Sequence, residues 1–569
     1  MEISIKNFET TLPKILEDIN TSDVLSIDCE FTGLNSGVTK YNALDTPHER
    51  YCKQLKNLDK FMLMQFGLTT FTYNESSGAY DVCPYYFYVF PFSEMKGVKD
   101  TCFTCQCSSL RYMSDHSFDF NKWIREGIPF LNMNEEKRFL KIFEDLLEKN
   151  EQEHSNALTP ENLSSSRRDF DALSPDSKDF LQGISKIVDI FMADSDKLSI
   201  NIENLNGFQR RLVYQMIKTS YPVGIYAETV TDKQTHKASI KLLKVSEDEF
   251  LKKISDNHNK NLKDLNDVVG FSHVIRAISN SCKMIIGHNM LLDLMFTISH
   301  FFCDLPTDYE EFKALSLTIF PKVIDTKVMA SIHPFKDNLQ HTGLKQLYTS
   351  INEKPFKKIS VSIPSDFKNY NDSKDYHNAG FDSFATGVCF LTFKDYLGSI
   401  CKPSISHLTV ESPLLQPFFN KIFLYKVVDM MYFDLKDDDL IPPRDNIFHL
   451  EFPQNWQTKD IVDLFSKFGP VYVHWINDVS AYVQILRMKH SYDEIIALVS
   501  GHLNDSIVRI KHYTSSSPKS TNASNSVQKR PQLEKSHEPP PAKKSKTKSD
   551  ASLTRDDEEF KPFKECSDW

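Results

Sequence analysis

The chain has 569 residues, 40% hydrophobic and 25% charged, enough for two to four folded domains. Its formal net charge of −10 excludes a protein that coats nucleic acid by bulk charge; contact with a polyanion must use local basic or aromatic groups or bound cations. Met1 to Asn20 carries acids without a signal-peptide core, and no apolar run is long enough to cross a bilayer, so no membrane partner is expected.

The first block, residues 1–170, reads as a strand at Val24–Asp28, further strands at Phe61–Phe71 and Tyr85–Phe92, and a charged helix at Asn134–Lys149. Within it lie Cys102, Cys105 and Cys107. A structural zinc needs four ligands, and no second Cys or His pair follows at suitable spacing, so free thiols of a reducing compartment are expected. Glu151–Ser174 turns polar and reads as a linker.

Residues 176–245 form a compact insertion with an amphipathic helix at Asp176–Ala193, a second helix at Gly207–Thr219, and strands at Val223–Val230 and Ala238–Val245. Glu247–Asn266 is so charged that a solvated connector helix is expected. The α/β pattern then resumes, giving a second part of the first domain over 246–430. It has helices at Val274–Ser281 and Leu291–Phe302, strands at Met284–Gly287 and Val323–Asp325, and helices opening at Thr326 and over 376–397. Residues 445–513 follow the β-α-β-β-α-β order of an RNA-recognition motif. The tail, 514–569, is rich in Ser, Pro and Lys and is expected to be disordered. Lys529-Arg530 and Lys543-Lys544-Ser545-Lys546 match a bipartite import signal, so both nucleus and cytoplasm are expected.

Three separated elements carry chemistry. Asp28-Cys29-Glu30 ends the first strand, where residues two apart share a face. Asp293 follows Ile286-Gly287-His288-Asn289 at the start of a helix, and His377-Asn378-Ala379-Gly380-Phe381-Asp382 comes last. Each alone has a plain alternative: a strand-end acid, a helix-start acid, a surface His. In this order they form the signature of a DEDD exonuclease on a ribonuclease-H-like fold, and His five positions before the last Asp marks the histidine subclass. Four hard oxygen donors suit Mg²⁺, with Mn²⁺ able to substitute. Two ions are expected, one on Asp28, Glu30 and Asp382 and the other on Asp28 with Asp293. His377, read as lying on the helix about 140° around from Asp382, would take the proton of the attacking water.

The stretches around Asp28, Asp293 and His377, together with Asp45-Thr46-Pro47-His48-Glu49-Arg50-Tyr51, Phe118-Asp119-Phe120-Asn121-Lys122 and Pro417-Phe418-Phe419-Asn420-Lys421, resemble the poly(A)-specific ribonuclease family over about residues 1 to 513. The resemblance implies a 3′→5′ exoribonuclease that removes mRNA poly(A) tails as 5′-AMP and works as a homodimer. It implies adenine contacts at Phe31, Leu34, Leu110 and Lys327, against core packing for the first three and a surface charge for Lys327. It also implies that Trp475 stacks on a 5′ 7-methylguanosine cap, against a core role on one strand face with Val471 and Val473. The insertion resembles a small nucleic-acid-binding domain, although the Arg-x3-His of that domain is lacking and Arg210 and Arg211 stand nearby. Trimming of small non-coding RNA by the same chemistry, a non-catalytic RNA- or cap-binding scaffold, and a DNA exonuclease are the alternatives.

Overall fold

A computed structural model describes residues 1–513 except 38, 59, 158–172, 222–223, 232–236, 369, 371–374 and 503–508. The expected tail, 514–569, lies outside the described residues. In chain order the strands are β1 (Glu2–Ile3), β2 (Val24–Phe31), β3 (Leu63–Asn74), β4 (Ala79–Tyr88), β5 (Ser199–Ile202), β6 (Ile225–Thr231), β7 (Ala238–Lys244), β8 (Met284–Gly287), β9 (Val323–Asp325), β10 (Val361–Ser362), β11 (Lys421–Phe423), β12 (Tyr432–Asp434), β13 (Ile447–Glu451), β14 (Val471–Asn477), β15 (Ser480–Ile485) and β16 (Arg509–His512).

One seven-stranded sheet contains both halves of the split domain. Its order is β1-β4-β3-β2-β8-β9, with β10 pairing on β4. The join is the parallel pair β2–β8, where Val24 meets Met284 and Ser26 meets Ile286. β2 is covered on both faces. Leu25, Ile27 and Cys29 enter one core with the Leu291–Phe301 helix, while Val24 enters the other with the Ala379–Ile400 helix.

The Ala379–Ile400 helix is buried nearly all round, as its lack of a polar face dictates. Asn378 caps it by accepting the N–H groups of Gly380 and Phe381. Three contacts set its height above the sheet. Gln65 Oε1 on β3 accepts the N–H of Ala379 at 2.9 Å, and Ser26 Oγ donates to Ser383 O at 2.6 Å. Gly67, opposite Asp28 in the ladder, leaves no room for a side chain, since a Cβ there would lie 1.8 Å from Ala379 O.

The insertion is a separate unit. The sheet β5-β7-β6 packs on helices Pro175–Ala193 and Gly207–Ser220 around its own core, including Val188, Val213 and Ile240. β5, Ser199–Ile202, was not among the expected strands. Two other expectations are corrected. Helix Met133–Ala157 runs into the segment read as a polar linker. Glu247–Val269 is not a solvated connector: Leu265 and Val269 pack with Phe139 and Phe143, so the two long helices pair. Charge on their outer faces hid a narrow apolar seam.

The last unit has sheet order β14-β15-β13-β16, the arrangement of an RNA-recognition motif. Phe448, Leu450, Val483 and Ile485 are buried, and His449, Tyr482 and Gln484 alternate with them on the opposite face. No helix among the described residues is long and apolar enough to cross a membrane.

Gly67→Ala should push the start of the Ala379–Ile400 helix off the sheet. Overpacking of this kind costs at least roughly 1–3 kcal/mol. A fall in melting temperature together with loss of nuclease activity is the expected result of calorimetry and assay; unchanged values would mean the helix height is set elsewhere.

Candidate active site

Asp28 and Glu30 share the face of β2 that carries Val24 and Ser26, the face covered by the Ala379–Ile400 helix. Asp382 sits in the first turn of that helix. Asp293 stands in the first turn of the Leu291–Phe301 helix, just beyond the end of β8. Its carboxylate lies against Cys29, whose backbone N–H and thiol both approach it.

Ligand atoms of Glu30, His377 and Asp382 come within 4.8 Å of one another, and no other such group of His, Cys, Asp or Glu forms among the described residues. Cys102, Cys105 and Cys107 are exposed free thiols. Asp28 and Asp293 stand outside the tightest group but interact with it electrostatically.

Burial, then the charges of Asp382, Asp293 and Glu30, hold the Asp28 carboxyl well above its ordinary range. Burial with Asp382 and Asp293 does the same to Glu30. Burial pushes Asp293 and Asp382 up to about 7. Such a set resists full ionisation unless a cation joins it. The donors fit one: one Asp382 oxygen accepts the N–H of His377 at 2.7 Å, while the other is buried without a partner. Oxygen-rich acidic surroundings suit Mg²⁺ or Mn²⁺.

His377 is not on the helix. It precedes the cap residue, with φ at 69°, in the left-handed region. Helical spacing therefore does not orient it; the hydrogen bond of its backbone to Asp382 does. Its Nε2 is paired with the Tyr112 hydroxyl. Burial, then His116 and Lys345, pull its pKa down to about 4, so the imidazole is neutral at pH 7.

The other expected contacts divide. Phe31 is 8% exposed and stacks on Phe296 with centroids 4.5 Å apart, so most of its ring is core. Leu34 and Leu110 are half-buried. Lys327 is no surface charge: it is buried, with Nζ 5.0 Å from the centre of the Phe423 ring. Trp475 lies far along the chain in β14 and is 38% exposed, edge-on to Phe452, with Nε1 donating to Thr458 Oγ1 at 3.2 Å.

Asp325 was missed. Fully buried at the end of β9, it accepts the N–H groups of Asn289 (2.9 Å), Met290 (3.2 Å), Lys327 (2.9 Å) and Phe423 (3.1 Å). It thereby fixes the turn leading to Asp293, including Asn289 at φ 59°. An acid following the apolar pair Val323-Ile324 and preceding Thr-Lys carries no distance information in the sequence.

Carboxylates with raised native pKa bind protons more tightly when folded than unfolded, so they destabilise the metal-free fold above their unfolded pKa, most fully above pH 7. In EDTA the melting temperature should rise as pH falls from 8 to 6. Asp28→Asn should melt no lower than wild type in EDTA at pH 8, yet gain less from Mg²⁺, whose binding stabilises by about 2.7 kcal/mol at a hundredfold excess over Kd. Equal gains in both proteins would remove Asp28 from the cation site.

The CAF1 family ribonuclease model matches residues 3–390, and an RNA binding domain model matches residues 437–516. The chain is 40% identical to "Poly(A)-specific ribonuclease PARN" of Xenopus laevis, over 85% of this chain and 77% of that one. It is 26% identical to "Pre-piRNA 3'-exonuclease trimmer" of Bombyx mori, over 83% and 86%. Among solved structures, S. pombe Pop2p in its Mg²⁺- and Mn²⁺-bound form aligns at 13% identity and TM-score 0.32, over 72% of this chain and 97% of that one. Extent and identity together place the family beyond the chemistry of the site alone: the chain belongs to the CAF1 ribonucleases, among the poly(A)-specific ribonucleases.

Proposed function

We propose that this chain is a Mg²⁺-dependent 3′→5′ exoribonuclease that shortens poly(A) tails and releases 5′-AMP. The gathering of four carboxylates, Asp293 and Asp382 buried and Asp28 and Glu30 half-buried, beside a neutral His377 carries the reading. Poly(A) as substrate rests on the Xenopus relative. Asp28, Glu30, Asp293 and Asp382 would hold the cations, which supply positive charge that acidifies water and stabilises the leaving oxygen.

The chain's own groups do the rest. Asp382 fixes the backbone of His377 and so the reach of its ring. The neutral imidazole accepts the proton of the attacking water. The water oxygen bonds to phosphorus, the bond to the 3′ oxygen breaks, and that oxygen leaves with a proton from solvent. Lys327, buried and cationic, offers charge to a phosphate, while Phe31, Leu34 and Leu110 offer apolar surface to adenine. Trimming of small RNA 3′ ends is a second reading, favoured by the Bombyx relative.

Cap binding by Trp475 rests on its exposed edge, and a homodimer rests on kinship with the family. Import through the basic tail, outside the described residues, gives nuclear and cytoplasmic sites of action. Loss of the indole in Trp475→Ala should weaken binding of a 7-methylguanosine cap analogue at least about 5-fold, from a cation–π contact worth about 1 kcal/mol. Unchanged fluorescence titrations would place the cap elsewhere.

The deciding assay follows AMP release from a 3′-labelled A-tailed RNA, with poly(U), poly(C) and a structured RNA with an oligo(A) end alongside. Wild type should act in Mg²⁺ and stop in EDTA, Asp28→Ala should be inactive, and His377→Ala should lose about 10²–10⁴-fold in kcat. Intact RNA ends in both Mg²⁺ and Mn²⁺ would leave a binding scaffold instead.

A further inference from the structure

In the tautomer protonated at Nδ1, Nε2 is the His377 nitrogen that can take a proton from water, and it is already engaged. A neutral imidazole has one acceptor nitrogen. Nε2 of His377 faces the Tyr112 hydroxyl, and the two rings meet edge to face with centroids 4.7 Å apart. His116 closes the group: its ring centroid is 4.5 Å from that of His377 and 4.4 Å from that of Tyr112, and its Nδ1–H reaches Tyr112 O at 2.8 Å. A phenol is protonated at neutral pH and donates. Nε2 cannot accept this hydrogen bond at full strength and also take a proton from water.

The element holding Tyr112 is poorly anchored. Helix Cys107–Asp115 has nine residues, of which only Met113 is buried. Its entry is tied to the body through Gln106, whose side chain accepts the N–H of Leu34 at 3.0 Å and whose own N–H donates to Thr32 O at 2.8 Å. Few buried apolar contacts mean a low cost of local opening. His377 is held from the other side, its backbone N–H donating to Asp382 at 2.7 Å. The same helix carries Leu110, so an RNA end seated on Leu110 acts on the element that holds Tyr112.

We propose that Tyr112 is a positioning residue that latches His377: in the RNA-free enzyme its hydroxyl occupies Nε2, and the incoming RNA 3′ end displaces the Cys107–Asp115 helix and frees the imidazole. This rests on the reading of His377 as proton acceptor. The latch subtracts from apparent affinity, because only the open fraction of the enzyme can bind productively. It leaves the chemical step untouched once RNA is bound.

The test is steady-state AMP release by the full chain in Mg²⁺ for wild type, Tyr112→Phe and His377→Gln, with RNA binding in EDTA measured by anisotropy. Tyr112→Phe keeps the ring and removes only the hydroxyl. Its KM and its Kd in EDTA should both fall about 2- to 10-fold, the range of one net hydrogen bond, with kcat unchanged. Unchanged or raised KM and Kd would overturn the latch, and so would a fall in kcat, which would make the hydroxyl part of the reaction. If His377→Gln keeps wild-type kcat, the proton-acceptor reading fails and the latch fails with it. If His377→Gln is inactive while Tyr112→Phe matches wild type, the latch alone fails.

Discussion

Gathering Asp28, Glu30, Asp293 and Asp382 in one place costs the fold stability, because carboxylates this close in surroundings poor in water cannot all ionise. The surrounding structure exists to withstand that strain. Gln65 and Ser26 tie the Ala379–Ile400 helix to the sheet, and Gly67 lets it approach. Asp325 locks the turn before Asp293 with four backbone hydrogen bonds. None of these residues belongs to the proposed cation set, yet each fixes an element from which one of its members projects. Charge repulsion held by rigid backbone is what makes such a pocket ready for a cation rather than collapsed around its own protons.

Where the chain obeys simple periodicity, its structure was legible. β2 could be read from Val24 to Asp28, and its alternation put Asp28 and Glu30 on one face. The order of the last unit came from alternating apolar residues and two short helices. The spacing from His377 to Asp382 misled, because a helical wheel assumes a helix and His377 lies before its cap in a left-handed conformation. Asp325, and the burial of Lys327, were illegible for another reason: they depend on partners brought from Asn289 and Phe423. The Glu247–Val269 helix failed for a third, since charge outnumbers its thin buried seam.

The unit from β13 to β16 divides its faces unevenly. The side toward its helices is apolar, and the opposite side offers Tyr482, His449 and Gln484 in place of the Phe pairs that ordinarily stack bases. Trp475 sits near the turn at the end of β14 rather than mid-sheet, edge-on to Phe452. A surface of this make lacks the paired aromatic rings on which a strand of RNA stacks.

The pairing of Val24 with Met284 has a consequence for how the protein is made. Strands β1 to β4 leave the ribosome first, and β2 then waits for β8 while about 200 residues follow. At 5–20 residues per second that interval is roughly 10–40 s. For that time an apolar strand edge is open to wrong partners. The insertion, with a core of its own, can fold in the meantime and shorten the effective loop that must close. Asp28 and Glu30 precede that delay and Asp293 and Asp382 follow it, so the carboxylate set cannot assemble until the chain has been made past Asp382.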